Sequence, residues 1–182
     1  MPHYKLIYFD LRGRGEAIRQ LLKVAGVEFE DQQITMEEWP GIKKGLAGKT
    51  ALERARLDTV GELLYDLDAA AEEWYIAVLG INPNITTPEA RADYFKTTVN
   101  AILEKWSPLV EKYLLLNGNN GLFLGDKETW VDILGAEVFT KFVEYGDPLC
   151  LDAFPHIKAL IARVHSNPVI CKHIQERKAS PM

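Results

Sequence analysis

Tyr4 to Lys43 reads YKLIYFDLRGRGEAIRQLLKVAGVEFEDQQITMEEWPGIK, and its spacing predicts strand, turn, helix, strand and short helix in that order. Tyr4-Lys5-Leu6-Ile7-Tyr8 is rich in β-formers, with Tyr4, Leu6 and Tyr8 on one face and Lys5 and Ile7 on the other. Asp10 to Gly15 is a polar, glycine-bearing turn. Ile18, Leu21, Leu22 and Ala25 then fall at i, i+3, i+4 and i+7, one apolar stripe on a helix. Gly26 ends that helix, and Val27 and Phe29 open a second strand. Thr35 followed by Glu38 has capping-box spacing and predicts a short helix carrying Trp39 and Lys43.

Two uses of this βαβ start compete. Gly13-Arg14-Gly15 follows a strand and opens a helix, and Asp31 comes near the end of the next strand, as in a dinucleotide site. The third glycine position holds Ile18, however, which blocks the close helix–strand approach that such a site needs. The other use starts from Tyr8, at the end of the first strand and facing the N-terminus of the first helix. Backbone N–H groups and the helix dipole make that place hospitable to an anion. A phenol there can donate a hydrogen bond to a bound thiolate.

The segments YKLIYFDLRGRGEAIR and EFEDQQITMEEWPGIKK together resemble the N-terminal end of a cytosolic glutathione transferase, in particular the sigma-like class of many invertebrate enzymes and the glutathione-dependent prostaglandin D synthases. The resemblance implies that Tyr8 holds the glutathione sulfur as thiolate and that Arg14 lies beside it. It implies that Trp39 and Lys43 hold the glycine end of the tripeptide. In sigma-like dimers an aspartate on the first long helix reaches the partner's glutathione amine, and Asp66, after Glu62 and Tyr65, stands at the matching place. Plainer roles exist for each. Tyr8 shares a strand face with Tyr4, and Arg14 is also a turn residue. Trp39 suits a core aromatic, Lys43 a solvated lysine beside Lys44, and Asp66 a helix carboxylate with Asp68 competing.

Composition narrows the class. A chain of 182 residues, 47% hydrophobic and 26% charged with net charge −5, is ordinary for a globular protein of one or two domains. The acidic balance argues against a nucleic-acid partner. No apolar run approaches a membrane span, and MPHYK lacks a signal-peptide core, which with the two cysteines points to the reducing cytoplasm. Cys150 and Cys171 make no disulfide framework and suit small core positions. His156, His165 and His173 lack metal-ligand spacing, so no metal is expected.

After Lys43 the chain runs directly through Lys44-Gly45-Leu46-Ala47-Gly48-Lys49-Thr50 into a helical region. The family pattern has an antiparallel strand pair and a helix here, so a unit of roughly 30 residues is absent. With it go the cis-proline loop that pairs with the glutathione backbone and the Gln/Glu-Ser pair that clamps the γ-glutamyl carboxylate. There is no proline between Pro40 and Pro83. The two N-terminal strands lose their sheet partners, and a two-stranded ribbon is marginal alone.

From Thr50 onward every pattern is helical. Thr50 and Glu53 form a capping box. Leu57, Val60, Leu64, Leu67, Ala71 and Trp74 trace a stripe down one long helix. Thr87 caps the next, with Pro88 in its first turn, and Phe95, Val99, Ile102, Trp106, Leu109 and Tyr113 are its expected apolar line. Thr129 and Asp132 form a third box ahead of Ile133, Ala136, Phe139 and Val143. The family has a buried box of this kind in its C-terminal domain. Ile157, Leu160, Ile161 and Val164 mark another helix, and Asn167-Pro168 starts the last.

The expected fold is therefore a truncated thioredoxin-like α/β domain, β-α-β plus a short helix, over residues 1–44, followed by an all-α helical-bundle domain over 45–182. The implied function is conjugation of glutathione to small hydrophobic electrophiles in detoxification. Tyr8 is then the catalytic residue, and Tyr8, Arg14, Trp39, Lys43 and Asp66 bind the tripeptide. Glutathione is a co-substrate, and no other cofactor is implied. The implied partner is a second copy or a full-length relative. The gap keeps a second reading open, a catalytically impaired subunit that dimerises or binds ligands. A third is a glutathione-dependent prostaglandin D isomerase.

Overall fold

The computed structural model describes residues 4–10, 13–35, 37–38 and 46–176. The chain divides into two compact units, Met1–Gly45 and Leu46–Met182.

The first unit is built on β1 (Tyr4–Phe9), α1 (Gly13–Val24) and β2 (Phe29–Ile34). The strands run parallel, with Tyr4 opposite Phe29 and Phe9 opposite Ile34. Parallel strands need a crossover, and α1 supplies it. Lys5 lies opposite Glu30 in this register, and the two side chains pair at 2.8 Å. The end of α1 is a Schellman closure: the Val27 N–H reaches the Leu22 carbonyl at 3.0 Å and the Gly26 N–H reaches Lys23 at 3.1 Å. That geometry puts Gly26 at φ +66°, which glycine adopts without a Cβ clash. Thr35 and Glu38 do form their reciprocal box, at 2.8 and 3.2 Å. The helix predicted to follow, with Trp39 and Lys43, lies outside the described residues.

The stripe on α1 does not become core. Ile18 is 45% exposed, Leu21 68% and Val24 88%. The 3.6-residue period is real, but the face it defines meets water. The buried side chain of α1 is instead Arg19, 8% exposed, whose Nε donates to Asp31 of β2 at 2.8 Å. This ion pair also occupies the acid that a dinucleotide site would have required.

The second unit consists of α2 (Ala51–Ala70), α3 (Glu72–Val78), α4 (Pro88–Tyr94), a π-helical turn (Phe95–Val99), α5 (Asn100–Leu116), α6 (Trp130–Tyr145), α7 (Pro155–His165) and α8 (Pro168–Glu176). Thr50 and Glu53 close their box at the start of α2. The predicted stripe from Leu57 to Trp74 is buried throughout. Its helix is not single, however: Ala71, at φ −94° and ψ 3°, separates α2 from α3. Packing against α6 is closest at Gly61, where a Cβ would run into the Trp130 ring. Helix α6 is central, with Val131, Ala136, Val138, Phe139 and Phe142 all buried.

The line expected on α5 is displaced by one residue after Val99. Leu103, Val110 and Leu114 are buried, whereas Leu109 is 45% exposed and Ile102, Trp106 and Tyr113 only partly covered. The π-turn accounts for the shift. The Asn100 N–H bonds to Phe95 O, five residues back, so the turn absorbs one residue more than an α-turn. Everything downstream is rotated accordingly.

Candidate functional site

Tyr8 stands near the C-terminal end of β1, opposite Gln33 of β2 and half-buried. Its ring meets Phe9 edge-on at 5.9 Å. The Arg19 guanidinium lies 5.9 Å from the Tyr8 ring centroid, within cation–π range. Arg19 is held there by Asp31 and by Glu16, 3.4 Å away, and these carboxylates, Asp31 foremost, raise its pKa further. Arg19 thus packs against the proposed thiol-site tyrosine, a role that sequence reasoning missed. A charged residue beside the apolar Ile18 and Leu22, with acids at Glu16 and Asp31, was the available signal.

Arg14 belongs to the first turn of α1 by its backbone, and its side chain lies outside the described residues. Trp39 and Lys43 also lie outside them. Tyr8 is the member of the proposed thiol and glycine sites whose side chain is placed. In the second unit Asp66 is exposed on α2. Asp68, two residues on, is the engaged carboxylate. It accepts from the Tyr75 hydroxyl at 2.8 Å and from Lys141 Nζ at 3.3 Å. Burial, then the charge of Asp68, pushes the Tyr75 phenol well above its usual range. Asp68 therefore joins α2 to α3 and α6, and Asp66 is left facing water.

The Thr129–Asp132 box is fully formed and more extensive than predicted. Asp132 is fully buried. Its carboxylate accepts from the Thr129 N–H at 2.7 Å, the Thr129 hydroxyl at 2.6 Å and the Phe123 N–H at 2.7 Å. One side chain thus caps α6 and fixes the connector before it. Burial raises its pKa, opposed by these three bonds. Among the described residues no group of three His, Cys, Asp or Glu is placed to hold a metal ion, and no helix is long and apolar enough to cross a membrane.

A family model described as glutathione S-transferase, C-terminal domain, matches residues 81–177. The probable glutathione S-transferase gst-36 of Caenorhabditis elegans is 40% identical over 215 aligned positions, covering 100% of both chains. This chain belongs to the glutathione S-transferase family. The hematopoietic prostaglandin D synthase of Gallus gallus is 29% identical to this glutathione S-transferase, over 97% of this chain and 98% of its own. A monomeric glutathione S-transferase of the hookworm Necator americanus has a crystal structure that superposes with a TM-score of 0.67 at 27% identity, covering 100% of both chains.

The alignment to the nematode relative also measures the gap. It spans 215 positions and this chain fills 182, so 215 − 182 = 33 positions are occupied by the relative alone. Both chains are covered end to end, so these positions are internal. The exposed face of α1 and the two-stranded sheet are what a family member lacking an internal segment of that size displays.

Proposed function

We propose that this chain is a glutathione transferase that conjugates the tripeptide thiolate to small hydrophobic electrophiles. The end-to-end match to a probable glutathione S-transferase at 40% identity carries this reading. Tyr8 supplies the chemistry. A free thiol of pKa about 8.5 is roughly 3% ionised at pH 7. A phenol hydrogen bond that lowers the pKa by about two units makes the thiolate the main form, roughly a 25-fold gain. The thiolate attacks the carbon of an aryl halide, the C–S bond forms, and halide leaves with the bonding pair. Arg19 steadies the Tyr8 ring, Arg14 supports the sulfur, and Trp39 and Lys43 anchor the glycine carboxylate. Asp66, facing water on α2, reaches the tripeptide amine of a partner chain. Glutathione is co-substrate, and no metal or prosthetic group takes part. The partner is a second copy or a full-length relative, and the setting is the cytoplasm.

A second reading has its own support. The 33 unfilled positions and the exposed Ile18, Leu21 and Val24 fit a subunit that dimerises or binds ligands without turnover. The similarity to a prostaglandin D synthase adds prostaglandin H isomerisation as an assay arm. Calorimetry with millimolar glutathione, and conjugation of a chromogenic aryl halide, separate these. Heat of binding and a turnover at least tenfold lower in Tyr8→Phe support the transferase. A well-folded chain with neither binding nor turnover leaves the non-catalytic subunit.

A further inference from the structure

The second unit carries a cleft of about 640 Å³ that the transferase reading does not use. One wall is a single face of α4, the π-turn and the start of α5, bearing Arg91, Phe95, Lys96 and Asn100. These positions recur at helical spacing, so they line the opening together. The chain just past α6, including Asp147, makes the opposite wall, and Trp74 closes the base. Trp74 and Phe95 meet edge to face at 5.1 Å, and both are buried. The base is therefore fixed.

The charges set the ligand. Among the described residues neither Arg91 nor Lys96 is in an ion pair. Arg91 is tethered by one nitrogen, Nη1, to the Ala77 carbonyl at 3.4 Å, which leaves the rest of its planar fork for a ligand. Asp147 is the one carboxylate in the lining. Its Oδ1 accepts from the Leu149 N–H at 2.9 Å, so it serves the turn in which it lies. Two cations against one acid leave the cleft with a positive balance. The π-turn adds a second observation. Such turns have poorer hydrogen bonding than α-helix and recur at functional sites, and this one holds Phe95 in the core while Lys96 lines the opening.

We infer that this cleft binds a small aromatic anion, a flat ring system carrying one carboxylate or sulfonate, through residues distinct from those proposed for glutathione. Arg91 and Lys96 take the acid group, Asn100 adds a polar contact, and the ring lies between the two walls. A ligand of this size is expected to bind with a Kd on the order of 10–100 μM.

The test is calorimetry of the full chain with naphthalene-2-sulfonate and with its neutral counterpart naphthalene-2-methanol. The expected result is one saturable site for the sulfonate, at least tenfold weaker binding in Arg91→Gln/Lys96→Gln, and a similar loss for the alcohol on the unaltered protein. Excess glutathione and Tyr8→Phe should leave the sulfonate Kd unchanged. Absence of saturable heat at 1 mM-scale ligand, equal binding of alcohol and sulfonate, an unaffected double variant, or displacement by glutathione would each overturn the assignment. The alcohol comparison holds even if the double variant folds poorly.

Discussion

Asp132→Ala should be among the most damaging single changes in the helical unit. The carboxylate it removes accepts three hydrogen bonds, from the Thr129 N–H, the Thr129 hydroxyl and the Phe123 N–H, all at 2.6–2.7 Å. The hydroxyl can rotate to another acceptor, but the two backbone donors cannot. Thr129 and Phe123 are both buried, so water does not reach them readily. Each stranded N–H costs about 1–3 kcal/mol, giving about 2–6 kcal/mol, and a central expectation of about 4. For a chain of this length that is about 8–16 °C in Tm. Urea unfolding followed by helical circular dichroism reports it as a lower midpoint with unchanged slope. Asp132→Asn keeps the volume and one acceptor but turns an amide N–H toward a donor, so its loss should be smaller than that of alanine. A loss below about 1 kcal/mol in Asp132→Ala would refute the view that these donors depend on this carboxylate.

The pH response of the same residue has a definite sign. Burial raises the Asp132 pKa above its unfolded value of about 3.9. The stability linked to that shift is fully present below the unfolded pKa and is lost as pH rises through the folded one. The stability gap between wild type and Asp132→Asn should therefore narrow as pH rises from 4 to 7, and a widening gap by urea midpoint would contradict this. Gly61→Ala should cost about 1–3 kcal/mol by pressing a Cβ into the Trp130 ring, and Trp130→Phe in the same chain should recover part of it. Ser107 is fully buried on α5 and its hydroxyl has no hydrogen-bond partner among the described residues. Ser107→Ala should thus leave the thermal midpoint unchanged or raise it, and a fall of several degrees would show a missed partner. Burial, then Asp147, pushes the Cys150 thiol up to about 12. Mass spectrometry of native protein at pH 7.4 should find Cys150 unmodified after iodoacetamide treatment that labels it fully in urea.

What the sequence announced was whatever depends on short-range spacing. The Thr35–Glu38, Thr50–Glu53 and Thr129–Asp132 boxes each need two residues three apart, and all three form. The stripe from Leu57 to Trp74 needs the helical period alone. What escaped depended on distant groups. The π-turn at Phe95–Val99 moved the buried line of α5 by one residue, because helical pattern counting assumes a constant wind. The Phe123 N–H reaches Asp132 across nine residues of connector, which no local motif encodes. Asp66 and Asp68 differ by their neighbours Tyr75 and Lys141, and nothing in DLD distinguishes them in advance. In the site, Tyr8 was found by its place at the end of β1. Arg19 was passed over because its partner Asp31 is twelve residues away on β2.

Helix α1 shows Leu21 and Val24 to water in a unit whose sheet has two strands among the described residues. Little apolar burial holds such a unit, so it opens at low free energy, while the helical unit keeps its interior. Turnover of the molecule will then begin at its front. A protease should cleave first before residue 46 and pause at a resistant helical fragment, and the lifetime of the proposed thiol site would be shorter than the lifetime of the chain that carries it.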